Sequence, residues 1–172
     1  MPMIGRPQEG EAASHYFKYI AQVTGDDILA ILESQLEESL RFFSGISEDK
    51  SLYRYAPEKW SIRQALSHIT DTERALTYRA LWFARGFDAP LISFDQNVAA
   101  SGAGADRVPW AAHVEEFRCV RLATIPLFRN MPPEAWMRTG IVSGNSFTVR
   151  AMSYVTAGHV AHHIKVLRER YF

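Results

Sequence analysis

From Asp27 onward, apolar residues recur at spacings of three and four: Leu29, Leu32, Leu36, Leu40 and Phe43 share one side of a helical wheel, with Thr24 or Asp26 available as N-cap. This predicts a first helix over 27–44. The period is lost over 45–60, which reads as a connection. Ser61-Ile62-Arg63-Gln64 then has the form of a capping box, in which the Ser and Gln side chains satisfy free amides at a helix start reciprocally. Ile62, Ala65, Leu66, Ile69, Leu76, Ala80 and Phe83 carry an apolar stripe on toward Gly86, so a second helix is expected over 62–85. A third is expected from about Pro109 to Asn130, presenting Val114, Phe117, Val120, Arg121, Thr124, Leu127 and Phe128, with Pro126 kinking it near its end. After Met131-Pro132-Pro133 and a polar turn around Gly144-Asn145, Ser146 or Thr148 can cap a fourth helix over about 147–170.

No long alternating run argues for a sheet, and no repeat is visible. Four long helices predict an all-α fold, a four-helix bundle packed at shallow crossing angles. Residues 1–26 mix Pro, Gly, Glu and Ser with an aromatic patch from His15 to Ile20, and read as an irregular N-terminal arm packed on a bundle domain spanning 27–172. The stretch 86–106 has few periodic apolar positions. Loops of that length are uncommon in compact domains unless they serve a function, so it is expected to form a lid or pocket wall.

Composition narrows the function classes. The chain has 172 residues, enough for one domain with its own core. Nineteen basic residues balance nineteen acidic ones without a Lys/Arg cluster, so nucleic acid is not an expected partner. No apolar run is long enough to span a bilayer, and the N-terminus lacks a basic region followed by an apolar stretch. The single cysteine, Cys119, cannot form an internal disulfide, which fits a cytoplasmic location.

The candidate chemistry lies in Gly158-His159-Val160-Ala161-His162-His163-Ile164. His159 and His163, at i and i+4, are separated by about 40° around a helix axis and share one face, whereas His162 turns about 60° the other way. Positions 149, 152, 156, 159, 163 and 166 form a heptad-like seam, so the shared face looks into the bundle. Two buried imidazoles without partners would cost about 1 to 3 kcal/mol each, and a divalent ion would satisfy them. His68 is the best third candidate, in line with Ala65, Thr72 and Ala75, small residues that let another helix approach. Spacing alone leaves open a blander arrangement, in which the paired histidines hydrogen-bond to carboxylates and His68 is a satisfied core residue. Cys119 has no adjacent His or Lys, and His15 and His113 lack partners at ligand spacing.

Tyr53-Arg54-Tyr55-Ala56-Pro57-Glu58-Lys59-Trp60-Ser61-Ile62, then His68 with Asp71 and Glu73, Tyr78-Arg79-Ala80-Leu81, Ala84-Arg85-Gly86, Phe94-Asp95-Gln96, Gly158 to His163, and Leu167-Arg168-Glu169-Arg170-Tyr171 together resemble the DinB-like superfamily, over nearly the whole chain. The resemblance implies a four-helix bundle of the DinB-like type, often a homodimer, with a divalent ion held by His68, His159 and His163. It also implies relatives in which the metal activates a low-molecular-weight thiol.

The expected activity is therefore metal-dependent transfer of a small thiol to an electrophile, with hydrolysis as the close alternative and a noncatalytic, metal-stabilised stress-response protein as the contrasting class. The metal is zinc, nickel or iron, since imidazole suits all three. Asp71 or Glu73 is placed to orient a ligand imidazole, and Tyr78, Arg79, Asp95 and Gln96 to meet a small-molecule substrate. His162 is expected beside the site or exposed. Trp60 and Trp82 read as packing residues.

Overall fold

The computed structural model describes residues 4–93 and 95–172; residues 1–3, at the tip of the expected arm, and Phe94 lie outside the described residues. A short helix, α1 (Phe17–Ile20), precedes the first long one, α2 (Ile28–Ser44). Asp27, and neither Thr24 nor Asp26, caps α2, its carboxylate accepting from the Ala30 amide at 3.2 Å. The second long helix, α3 (Ile62–Ala84), opens on the expected capping box. Ser61 Oγ accepts from the Gln64 amide while Gln64 Oε1 accepts from the Ser61 amide, both at 3.0 Å. Every apolar residue of the stripe from Ile62 to Phe83 is buried.

The stretch after α3 holds a two-turn helix, α4 (Gln96–Gly102), whose start is capped by Asp95, and a 3-10 turn at Ala105–Arg107. Seven residues are too few to show a period in sequence. The third long helix, α5 (Trp110–Arg129), begins just after Pro109, and Pro126 sits inside its last turns. A small antiparallel hairpin follows, β1 (Thr139–Val142) paired with β2 (Asn145–Thr148), with Thr139 opposite Thr148. Its two-residue turn places Ser143 and Gly144 both at positive φ, which matches the twist of the flanking strands. The last helix, α6 (Val149–Arg170), starts two residues later than its pattern suggests, because Ser146 and Phe147 belong to β2 and Thr148 is the cap. Four-residue strands are too short for alternation to declare itself, so the sequence did not announce this pair.

The four long helices form the bundle. α3 packs against α5 and α6, and α2 packs against the same two helices from the other side. Chain neighbours α2 and α3 therefore lie diagonally, as do α5 and α6. Short loops join antiparallel neighbours, so diagonal placement accounts for the long connections over 45–61 and 130–148. A buried polar network crosses the centre. Arg121 on α5 donates to both Glu73 carboxylate oxygens on α3, at 2.7 and 2.8 Å, and to Gln35 Oε1 on α2 at 2.8 Å. Gln35 Nε2 in turn donates to the Ala157 carbonyl on α6 at 2.9 Å, so one chain of bonds touches all four helices.

The segment before α2 packs on α6, with Ala12, Ile20 and Val23 buried in the common core. Glu11 forms an ion pair with Arg150 and accepts from the Thr148 hydroxyl, joining the segment to the start of α6. Gly158 permits a close approach of this segment to α6: a Cβ there would lie 2.0 Å from the Tyr19 carbonyl oxygen.

Candidate metal centre

His68 sits two turns into α3, and His159 and His163 lie one turn apart on α6, which packs directly against it. Nε2 of His159 lies 3.1 Å from Nε2 of His68 and 3.1 Å from Nε2 of His163. The three ligand atoms all fall within 4.8 Å of one another. His68 is 6% exposed and His159 5%. Burial holds His68 down to about 4 and His163 to about 3, and pushes His159 well below its ordinary value; for His159 and His163 the neighbouring imidazoles act in the same direction. All three rings are therefore neutral near pH 7.

Neutral rings cannot satisfy one another in this arrangement. A ring nitrogen carries either one N–H or one lone pair, so His159 Nε2 cannot make two good hydrogen bonds, one to each neighbour. Three imidazole nitrogens gathered within 4.8 Å of one another suit a shared cation. Four-coordinate zinc with Zn–N near 2.05 Å would hold its nitrogens about 3.3 Å apart, close to the 3.1 Å that separates His159 Nε2 from each of the other two. The residues thus fit a divalent ion, and three ligands from protein leave a position free for a reactant.

Two cavities border the cluster. The smaller, about 110 Å³, is walled by His68 and His159 together with Tyr16, Thr72, Arg79 and Gln96. The larger, about 260 Å³, is walled by His163 with Tyr55, Lys59, Trp60, Asn97 and Tyr171. The stretch between α3 and α5 contributes to both, Gln96 to one and Asn97 to the other, so it acts as a pocket wall.

The remaining candidates divide. Arg79 and Gln96 reach the smaller cavity. Asp71 and Glu73 do not join the histidines: Asp71 pairs with Arg74 on the surface, and Glu73 is committed to Arg121. The only side-chain hydrogen-bond partner of His68 Nδ1 among the described residues is a distant one, Thr72 Oγ1 at 3.5 Å, which accepts from Nδ1 when Nε2 presents its lone pair to the cluster. Tyr78 is 52% exposed and lies against Trp82, and the Asp95 carboxylate is taken up in capping α4. His162 is half-buried, its ring edge-on to Tyr19, and its nitrogens stay outside the cluster. Cys119 is exposed, and its hydrogen bond to Glu115 pushes the thiol pKa up, the opposite of what a nucleophile needs.

Sequence reasoning missed Tyr19, whose ring lies 5.4 Å from that of His159, and the placement of Trp60, 4.8 Å from the His68 ring on the wall of the larger cavity. The aromatic patch from His15 to Ile20 was the available signal for Tyr19. For Trp60 it was the position just before the capping box that opens α3.

A family model described as the DinB superfamily matches residues 31–167. Among solved structures, the fold is similar to that of YfiT from Bacillus subtilis, a probable metal-dependent hydrolase with an unusual four-helix bundle topology. That match has a TM-score of 0.69 at 16% identity, covering 95% of this chain and 91% of that one. It is also similar to mycothiol-dependent maleylpyruvate isomerase, with a TM-score of 0.69 at 13% identity over 84% of this chain and 61% of the isomerase. A histidine-to-alanine mutant of that isomerase superposes equally well. The sequence matches no curated protein significantly.

Proposed function

This chain belongs to the DinB superfamily, and from that premise we propose that His68, His159 and His163 hold one divalent metal ion in an enzyme that activates a small thiol for transfer to an electrophile. The observation that carries the reading is the gathering of three neutral imidazoles with their ligand nitrogens within 4.8 Å of one another. When bound, the ion would act as a Lewis acid and lower the pKa of a thiol, supplying a nucleophile at neutral pH. Zinc, nickel and iron all suit three imidazoles.

The protein's own groups set the rest. α6 presents His159 and His163 from one face, and Gly158, beside that face, lets the Tyr19 backbone approach so that the Tyr19 ring packs 5.4 Å from that of His159. Burial keeps the three rings deprotonated and ready to coordinate over the whole neutral range. Two cavities meeting at one cluster favour two reactants, one received by the larger cavity, lined by aromatic rings and Lys59, and the other by the smaller.

Hydrolysis is the second reading, supported by the likeness to YfiT over nearly the full length of both chains. The reading also includes a homodimer in the cytoplasm, which sedimentation of the purified protein and fractionation of cells would check. To test the reaction, metal-loaded protein is mixed with a chromogenic electrophile and a panel of small thiols, beside an ester panel without thiol. Thiol-dependent turnover lost on His163→Ala supports transfer; turnover of esters alone supports hydrolysis, and neither refutes both.

A further inference from the structure

Three arginines are buried, and two of them have a carboxylate partner. Arg121 holds Glu73 and Arg63 holds Glu48. Arg79 is 7% exposed and forms no ion pair among the described residues. Its single side-chain hydrogen bond among those residues is a long one, 3.3 Å, from Nη2 to the Ile92 carbonyl, although a guanidinium carries five N–H donors. All nineteen acidic residues of the chain lie among the described residues, since those left out are three N-terminal residues without a carboxylate side chain and Phe94.

Arg79 lines the smaller cavity, and none of that cavity's walls is acidic. It shares one stripe of α3 with His68, Thr72 and Ala75, about 16 Å further along the axis from His68, and helical side chains lean back toward the N-terminus, here toward the histidines. Burying an unpaired charge carries a heavy desolvation cost, which a protein tolerates where a ligand completes the pair. Gln96, Ser93 and Tyr16 add neutral hydrogen-bonding groups to the same wall.

We propose that this cavity is a carboxylate subsite, in which Arg79 pairs with an anionic group on one of the two reactants and holds the rest of that molecule toward the histidine cluster. This rests on the two-reactant reading above, and it restricts the substrate class to small acids, because guanidinium matches a planar carboxylate with two parallel hydrogen bonds and the cavity of about 110 Å³ has no room for a large ligand.

The test is calorimetric titration of metal-free and metal-loaded protein with succinate, with succinamide as the neutral match, using wild type, R79K and R79M. Saturable succinate binding is expected in both forms, with none for succinamide, a loss of about 10- to 100-fold in R79M, and a smaller loss in R79K. Ligand-free R79M should melt at or above the wild-type temperature, because an unpaired buried charge has been removed. Succinate binding that persists in R79M, no saturable binding in wild type, or a melting temperature lowered in R79M as far as in R121M would each overturn the proposal. The source of the carboxylate follows from KM: bromoacetate against bromoacetamide with a neutral thiol, and mercaptoacetate against mercaptoethanol with a neutral electrophile. An acid preference abolished by R79M identifies the reactant, and its absence from both pairs refutes the subsite's role in turnover. Metal content measured on the same samples separates the two readings: absent metal with intact succinate binding sinks the metal centre alone, and retained metal without succinate binding sinks the subsite alone.

Discussion

Removing one partner of the Arg121–Glu73 pair should be among the most damaging single changes in this protein. Both side chains are essentially inaccessible, at 0% and 1% exposed, and the guanidinium bonds both carboxylate oxygens. Glu73→Leu would leave a buried guanidinium with Gln35 and the Leu32 carbonyl as its remaining partners. Breaking a buried pair from one side costs about 3 to 5 kcal/mol, and for a chain of this size each kcal/mol is about 2 to 4 °C, so a fall of roughly 6 to 20 °C in Tm is expected. Replacing both together, Glu73→Leu with Arg121→Met, removes both charges and should recover most of the loss. Urea titrations of the two single variants and the double one, analysed as a cycle, measure the coupling. A single-variant loss under about 1 kcal/mol, or a double variant no better than the worse single one, would refute the reasoning.

Gly158→Ala should push the Tyr19 carbonyl off α6, at a cost of about 1 to 3 kcal/mol for overpacking, and make the segment before α2 cleavable by protease under native conditions; unchanged resistance to cleavage would mean that the contact is easily relieved. The metal-free protein should be acid-sensitive for an identifiable reason. His68 is held to about 4 and His163 to about 3, against about 6.5 in the unfolded chain, so below pH 6.5 the unfolded chain binds protons that the folded chain does not. Stability is full above that pH and falls as pH drops toward 4, each ring adding up to about 1.4 kcal/mol per pH unit. Urea midpoints from pH 7.5 to 4.5 should show that slope in wild type and a shallower one in His68→Gln, while equal slopes would assign the acid loss to other groups.

Much of the bundle was legible in the sequence because amphipathic helices declare themselves over several turns. The stripe from Ile62 to Phe83 and the Ser61–Gln64 box located α3 to within a residue. The hairpin was not legible, since Thr139–Val142 and Asn145–Thr148 are too short to establish a period, and Phe147 and Thr148 run directly into the pattern of α6. Arg121 appeared in the helical stripe of α5, yet only the folded chain shows why a charge belongs there: its partner Glu73 lies 48 positions away on another helix. For the same reason Glu73 read as a possible partner for a histidine. The i, i+4 spacing on α6 made His159 and His163 legible, whereas Tyr19 comes from a segment without periodicity and is brought to the site by a glycine contact that no local pattern encodes.

The most direct test of the metal centre is elemental analysis of protein purified without a histidine tag or chelator, with wild type measured beside His159→Ala. His159 Nε2 stands between the other two ligand atoms, so its removal should eliminate the site while leaving the rest of the bundle folded. About one divalent ion per chain in wild type and none in the variant is the predicted result. Metal-free wild type that stays metal-free after reconstitution with zinc, nickel or iron, or equal metal in a folded variant, would contradict it.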